Sequence, residues 1–236
     1  MCQFKDSCIK GATCSREPVV MEVDDEGYIV GRYCEHYREN EILFDISHSG
    51  LNKYMERCEI SNYITETKEQ KEVKALVENY VDHLKKSVAN EKEVPWLALC
   101  GHYGLGKTHL ATACFKEAIR AGLSAKPMYY VEDIQSLKNC YYGKSNDDLL
   151  GELKNVPFLF IDEFMKTYAN PDAPIVVDLI NYRYNNCLPT IITTELSPKE
   201  IMYKLASTMD RIVEKTQRKY LYYFGENCQS YRSNLK

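Results

Sequence analysis

Long hydrophobic runs are missing from this chain. No apolar stretch in its 236 residues approaches the roughly 20 that a membrane-spanning helix needs. The first residues, Met1-Cys2-Gln3-Phe4-Lys5-Asp6, form no apolar signal region, so neither a membrane span nor secretion is expected and a cytoplasmic location follows. Positive charge in excess is missing as well. The formal net charge of −4 argues against a surface coated for duplex DNA. Internal repeats and low-complexity tracts are absent too, which excludes solenoids and fibres. Apolar residues are not scarce: at 44% they supply a core and exclude global disorder. The length suits one ordinary domain with a small appendage. Ten cysteines without a secretory signal read as free thiols or metal ligands, not as a disulfide framework.

The charge is unevenly spread. Residues 1–66 carry 7 Lys/Arg against 13 Asp/Glu, whereas residues 199–236 carry 8 against 4. An acidic front and a basic tail fit a protein partner at one end and a polyanion at the other, or simply solvated surface.

Periodicity organises the rest. Gly50 to Tyr63 reads as a short amphipathic helix, with Leu51, Tyr54, Met55 and Cys58 on one face. A polar stretch, Thr65 to Lys71, leads into a helix carrying Val73, Leu76, Val77, Tyr80, Val81 and Leu84. From Trp96 the period changes. Trp96–Cys100, Pro127–Val131, Phe158–Ile161, Thr190–Thr194 and Tyr220–Phe224 read as short apolar strands with helical patterns between them. Such alternation predicts an α/β fold, a parallel five-stranded sheet covered by helices on both faces.

Two segments carry the chemistry. Gly101-His102-Tyr103-Gly104-Leu105-Gly106-Lys107-Thr108, with His109 next, matches the phosphate-loop pattern G-x-x-x-x-G-K-[ST] between a strand and a helix. Its glycines let backbone N–H groups approach phosphates, and the helix beginning near Lys107 points its positive end at the same anion. Lys107 is the candidate for the β- and γ-phosphates of ATP, and Thr108 for Mg²⁺. In Phe158-Leu159-Phe160-Ile161-Asp162-Glu163 an apolar strand ends in two carboxylates. Asp162 is the candidate metal-holding acid and Glu163 the general base for water. The adjacent pair fits ATP hydrolysis better than small-molecule phosphotransfer, which needs only the first acid. Thr193-Thr194-Glu195 ends the next apolar strand; Thr194 or Glu195 is the candidate polar sensor of the γ-phosphate.

In this order, Gly-x-x-Gly-x-Gly-Lys-Thr, Phe-Ile-Asp-Glu, Pro189–Thr194, Asp210-Arg211 and Ser230-Tyr231-Arg232 resemble the DnaC/DnaI helicase-loader branch of the AAA+ ATPases, which shares its skeleton with the IstB transposition helpers. The resemblance covers roughly residues 58–236. Cys58–Tyr63 is similar to a short stretch that precedes the ATPase core in this group, with its glycine and arginine absent. The resemblance implies that Arg211 is an arginine finger offered to a neighbouring copy, and that Arg232 contacts ATP or ADP within the same chain. It implies a hexameric replicative helicase and single-stranded DNA as partners, and self-association through Arg211. Tyr129-Tyr130 and the stretch Lys138 to Lys144, including Tyr141 and Tyr142, are candidate stacking and phosphate contacts for single strands; Tyr129 and Tyr130 also read as strand residues with at least one buried. An IstB-like transposition helper and a non-catalytic nucleotide-binding adaptor are the alternatives.

Cys2, Cys8, Cys14 and Cys34, with His36 as an alternative ligand, follow the spacing C-x5-C-x5-C-x19-C-x-H. Four soft ligands can fold a segment too short to build a core around Zn²⁺, and DnaI-type loaders carry such a domain. Cys100 and Cys114 read as small core residues. The expected organisation is a cysteine-rich helicase-interaction domain over 1–50, a linker helix over 51–68 and the AAA+ domain over 69–236.

Overall fold

Runs of three to five residues form the strands of a fully parallel sheet. The computed structural model describes residues 19–33, 42, 44–144, 148–225 and 228, and the chain divides into two units, residues 1–48 and 49–236. In the first, β1 (Val19–Val23) pairs antiparallel with β2 (Ile29–Tyr33). The Asp24 carboxylate closes their turn by accepting the N–H groups of Glu26 and Tyr28 at 3.0 and 2.8 Å.

The second unit opens with α1 (Lys68–Ala89), which starts earlier than the apolar periodicity suggests. Thr67 and Gln70 form a reciprocal cap. The Gln70 N–H donates to the Thr67 hydroxyl and the Thr67 N–H to the Gln70 side chain, so the polar stretch becomes the helix's first turn. Val73, Val77, Tyr80, Val81 and Leu84 are buried beneath it. Then come β3 (Leu97–Cys100), α2 (Lys107–Arg120), β4 (Ala125–Tyr129), α3 (Tyr130–Tyr141), α4 (Leu149–Asn155), β5 (Phe158–Asp162), α5 (Ala173–Asn185), β6 (Thr190–Thr194), α6 (Pro198–Lys204), α7 (Ala206–Lys215) and β7 (Leu221–Tyr223). The sheet order is β4-β5-β6-β3-β7 with every neighbour parallel. The expected five-stranded α/β sheet is therefore present, and β3, β5 and β6 are buried along their whole length.

The order decides where chemistry can occur. From β3 the chain crosses to the β4 edge and works back through β5 and β6, leaving β7 for the opposite side of β3. The connection leaving β3 runs one way across the sheet and the one leaving its neighbour β6 runs the other, so a crevice opens at the carboxyl ends of the strands. Pairing of Cys100 with Thr194 and of Tyr129 with Asp162 brings the ends of four strands to this one edge.

Two expected elements differ. Gly50 to Tyr63 is not an amphipathic helix but a coil with a single 3₁₀ turn, Met55–Arg57. Asparagine side chains replace helical hydrogen bonds there: the Asn52 side-chain oxygen accepts the Tyr54 and Met55 N–H groups, and that of Asn62 accepts the Glu59 N–H. Leu51, Met55, Cys58 and Tyr63 are nevertheless buried; Tyr54, assigned to the same face, is exposed. The strand expected at Pro127–Val131 runs Ala125–Tyr129 instead, and Tyr130 opens a helix. The Asp133 carboxylate accepts the Tyr129 N–H at 2.8 Å, turning the chain out of the sheet one residue after its last pair.

A buried cation ties the far side together. Arg183 on α5 is fully buried and donates to the carbonyls of Leu153, Lys154, Val156 and Pro189 and to the Thr190 hydroxyl. With no carboxylate among these partners, burial pushes its guanidinium down to about 9. It locks the end of α4 to the start of β6.

Candidate functional site

The loop between β3 and α2 turns on glycine. Gly101 has φ +129° and Gly106 +77°, a region that side chains rarely enter. A Cβ on Gly101 would lie 2.8 Å from the Phe224 carbonyl oxygen, and one on Gly106 only 2.5 Å from the Tyr63 ring. Glycine is thus required by space as well as by dihedral angle. The loop borders a cavity of about 800 Å³ that also takes in Thr108, Asp162, Glu163, Thr193 and Glu195, a volume suited to a nucleotide.

Lys107 is 7% exposed. Its ammonium donates to the His102 carbonyl at 2.5 Å. Burial pushes it down to about 8, although Glu195 and Asp162 pull the other way. A buried ammonium held by one carbonyl is a cation waiting for an anion. At the end of β5, Asp162 accepts from the Thr108 hydroxyl at 2.9 Å and from the Thr193 hydroxyl at 2.5 Å, both on Oδ1. Burial raises its carboxyl above the usual range, against these two hydrogen bonds. Hydroxyl and carboxylate oxygens suit Mg²⁺, and an ammonium beside loop N–H groups suits phosphate, so the donor set fits a metal-bound nucleotide.

Glu163 follows in a left-handed backbone conformation, φ +56°, with its N–H donating to the Thr193 hydroxyl at 3.1 Å. Its carboxylate meets the Lys166 ammonium at 2.5 Å, and the same ammonium lies 3.1 Å from Glu195 Oε1. Thr194, one of two sensor candidates, donates its hydroxyl to the Phe164 carbonyl at 2.8 Å and accepts the Leu196 N–H at 3.1 Å. Its oxygen is therefore committed to the backbone, and Glu195 presents the ionisable group at that strand end.

The coil at 51–66 is part of the site. The Tyr63 hydroxyl donates to the Leu105 carbonyl at 3.0 Å, and His109 Nε2 lies 2.8 Å from the Glu59 carbonyl oxygen. Thus His109 packs against this segment. Glu59 receives the buried Lys116 ammonium at 2.5 Å and Arg120 at 3.0 Å. Alone, burial would raise the Glu59 carboxyl; hydrogen bonds and charge from Arg120 and Lys116 outweigh it and hold it below the usual range. Periodicity could not reveal this network, whose partners lie 57 and 61 residues apart. Sequence spacing does not reveal Lys166 either, since a lysine three residues after an acidic pair reads as surface.

Other candidates fall elsewhere. Arg211, on α7, does not border the cavity of its own chain; it donates to the Ser207 carbonyl at 2.7 Å and its guanidinium lies 5.4 Å from the centre of the Tyr184 ring. Tyr130 is buried, with its hydroxyl 3.4 Å from Asp172, which removes it as a stacking face. Tyr129 is half-buried and donates to the Gly50 carbonyl. Lys138 pairs with Asp172 at 3.2 Å, whereas Tyr141 and Tyr142 are exposed. Cys100 and Cys114 are buried as expected, and burial raises the Cys100 thiol to about 12. Arg232 and the candidate zinc ligands Cys2, Cys8, Cys14, Cys34 and His36 lie outside the described residues. Among the described residues no cluster of metal-ligating side chains occurs, and no helix is long and apolar enough to cross a membrane.

Residues 51–217 match the family described as IstB-like ATP binding protein. The chain is similar to the uncharacterized protein YqaM of Bacillus subtilis, with 31% identity over 182 residues, 72% of this chain and 56% of that protein. It is also similar to the replicative helicase loader DnaC of Escherichia coli, with 26% identity over 190 residues, 79% of this chain and 74% of that protein. Its fold matches the crystal structure of DnaI with a TM-score of 0.59 at 21% identity, covering 74% of this chain and 94% of that one.

Proposed function

Because the chain belongs to the family of IstB-like ATP binding proteins, we propose that it binds ATP with Mg²⁺ in the cavity at the sheet edge and hydrolyses it to load a replicative DNA helicase. Loop N–H groups and the start of α2 receive the phosphates. The Lys107 ammonium leaves the His102 carbonyl for their oxygens. The Thr108 hydroxyl and Asp162 hold Mg²⁺, with Thr193 fixing the carboxylate's orientation. Held by these residues, Mg²⁺ would supply positive charge against that developing on the phosphates. Glu163 accepts the proton of the attacking water, and Glu195 reports the terminal phosphate in place of the committed Thr194 hydroxyl. Arg211, lying away from its own cavity, acts on a neighbouring copy's nucleotide; Arg232 contacts nucleotide within its own chain. Tyr141 and Lys144 are the single-strand contacts proposed on the α3 end. Residues 1–50, holding zinc through their cysteines, engage the helicase.

The observation that carries the reading is the hydrogen-bonded row Thr108–Asp162–Thr193, with Glu163 beside it, in a chain matching the E. coli loader over 79% of its length. Lys107→Ala is expected to abolish nucleotide binding, while Glu163→Gln keeps binding and loses turnover by about 10²-fold or more. Turnover by Glu163→Gln at the native rate removes the base assignment. The second reading is a transposition helper, because the matched family is IstB-like and the IstB transposition helpers share this skeleton. Parallel pull-downs with a hexameric replicative helicase and with a transposase, with zinc measured on the same sample, decide: capture of the transposase alone supports that reading. Nucleotide binding without turnover, even with helicase and single-stranded DNA present, identifies an adaptor.

A further inference from the structure

Among the described residues, Lys166 is the one lysine besides Lys107 that borders the cavity, and its ammonium sits between Glu163 and Glu195. The cavity wall is acidic. Asp162, Glu163, Glu195 and Glu132 all border it, against the ammonium groups of Lys107 and Lys166. The backbone fixes the Glu163–Lys166 pair: Glu163 stands at φ +56° with its N–H held by Thr193, and the Lys166 N–H returns to the Glu163 carbonyl at 3.0 Å. One tight turn therefore points the two side chains at each other across 2.5 Å. A carboxylate so engaged faces its lysine, not a water.

We propose that Lys166 is a positioning residue that restrains Glu163 until the terminal phosphate of ATP draws the ammonium away. The inference rests on the ATP reading of the site. Phosphate oxygens compete for Lys166 more effectively than either carboxylate because they carry more charge at one place. ADP lacks the group that would reach it, so Lys166 couples base release to the presence of ATP. Glu195 holds the same ammonium from the other side, at 3.1 Å, and sharing the cation between two carboxylates limits how tightly Glu163 is bound.

The test separates restraint from simple phosphate binding. Lys166→Met is expected to raise basal kcat by about two- to fivefold, the range that a partly exposed ion pair supports. Its affinity for ATP falls while that for ADP stays unchanged, measured with fluorescent nucleotide analogues in EDTA. Lys166→Arg restores wild-type values for both. Glu195→Gln leaves the ammonium wholly on Glu163 and lowers kcat, and adding Lys166→Met raises kcat in that background by at least as large a factor as it does in the wild type. A kcat unchanged or lowered in Lys166→Met, or an equal loss of ATP and ADP affinity, overturns the restraint. A wild-type chain that binds no nucleotide overturns the ATP reading and the restraint together. If the wild type binds and hydrolyses ATP, an unaltered Lys166→Met protein removes the restraint alone.

Discussion

Removing the Glu59 side chain tests whether the coil at 51–66 is structural padding or a working wall of the site. Glu59 accepts from Lys116 at 2.5 Å and from both terminal nitrogens of Arg120 at 3.1 and 3.0 Å. The Lys116 side chain is 2% exposed and that of Glu59 35%. In Glu59→Ala the Lys116 ammonium keeps only the Glu56 carbonyl, at 3.0 Å, whereas Arg120 retains Glu117 at 2.6 Å. A charge-assisted hydrogen bond contributes about 1.5–3 kcal/mol, and the half-exposed Arg120 pair adds at most about 1 kcal/mol after screening. The expected loss is about 1.5–4 kcal/mol, a fall of about 3–16 °C in Tm for a chain of this size. Urea and thermal unfolding measure it directly. The coil also carries Tyr63, whose hydroxyl donates to the Leu105 carbonyl, so ATP affinity should fall as well. A change below about 0.5 kcal/mol with unaltered affinity would refute the view that this pair holds the coil against the phosphate-loop helix.

The same carboxylate makes stability depend on pH. Glu59 is held below its usual range, so its contribution is full above the unfolded carboxylate pKa of about 4.3 and is lost as pH falls through the lower folded value. Melting temperatures of wild type and Glu59→Gln, taken from pH 6 down to about pH 3, should therefore converge towards the acid end; a constant gap rejects the linkage. Gly106→Ala places a Cβ 2.5 Å from the Tyr63 ring at φ +77° and should cost about 1–3 kcal/mol. Pairing it with Tyr63→Ala should recover the steric part in unfolding experiments, while an undiminished cost would assign the strain wholly to the backbone.

The legible parts of this protein were those set by local pattern. Thr190–Thr194 and α2 from Lys107 stand where composition and motif put them, because a run of buried β-branched residues and a glycine-rich helix start leave few alternatives. In Gly50 to Tyr63 helical spacing shows the burial of Leu51, Met55 and Cys58 but not that Asn52 and Asn62 satisfy the backbone from their side chains. Tyr130 was misplaced for a similar reason. Its apolar ring suits a strand, and only the Asp133 carboxylate on the Tyr129 N–H ends the strand before it.

By itself the sequence determined that a phosphate loop, a strand-end Asp-Glu pair and a parallel sheet belong to one chain. Each is a short-range feature with its own steric or electrostatic reason. Tertiary structure alone decided which groups touch. Folding β6 between β3 and β5 set the Thr193 hydroxyl on Asp162, turned the Thr194 hydroxyl away and brought Glu195 to Lys166. These contacts join residues some 30 positions apart, and a hydrogen bond depends on distances of a few tenths of an ångström, which strand register fixes and sequence spacing does not.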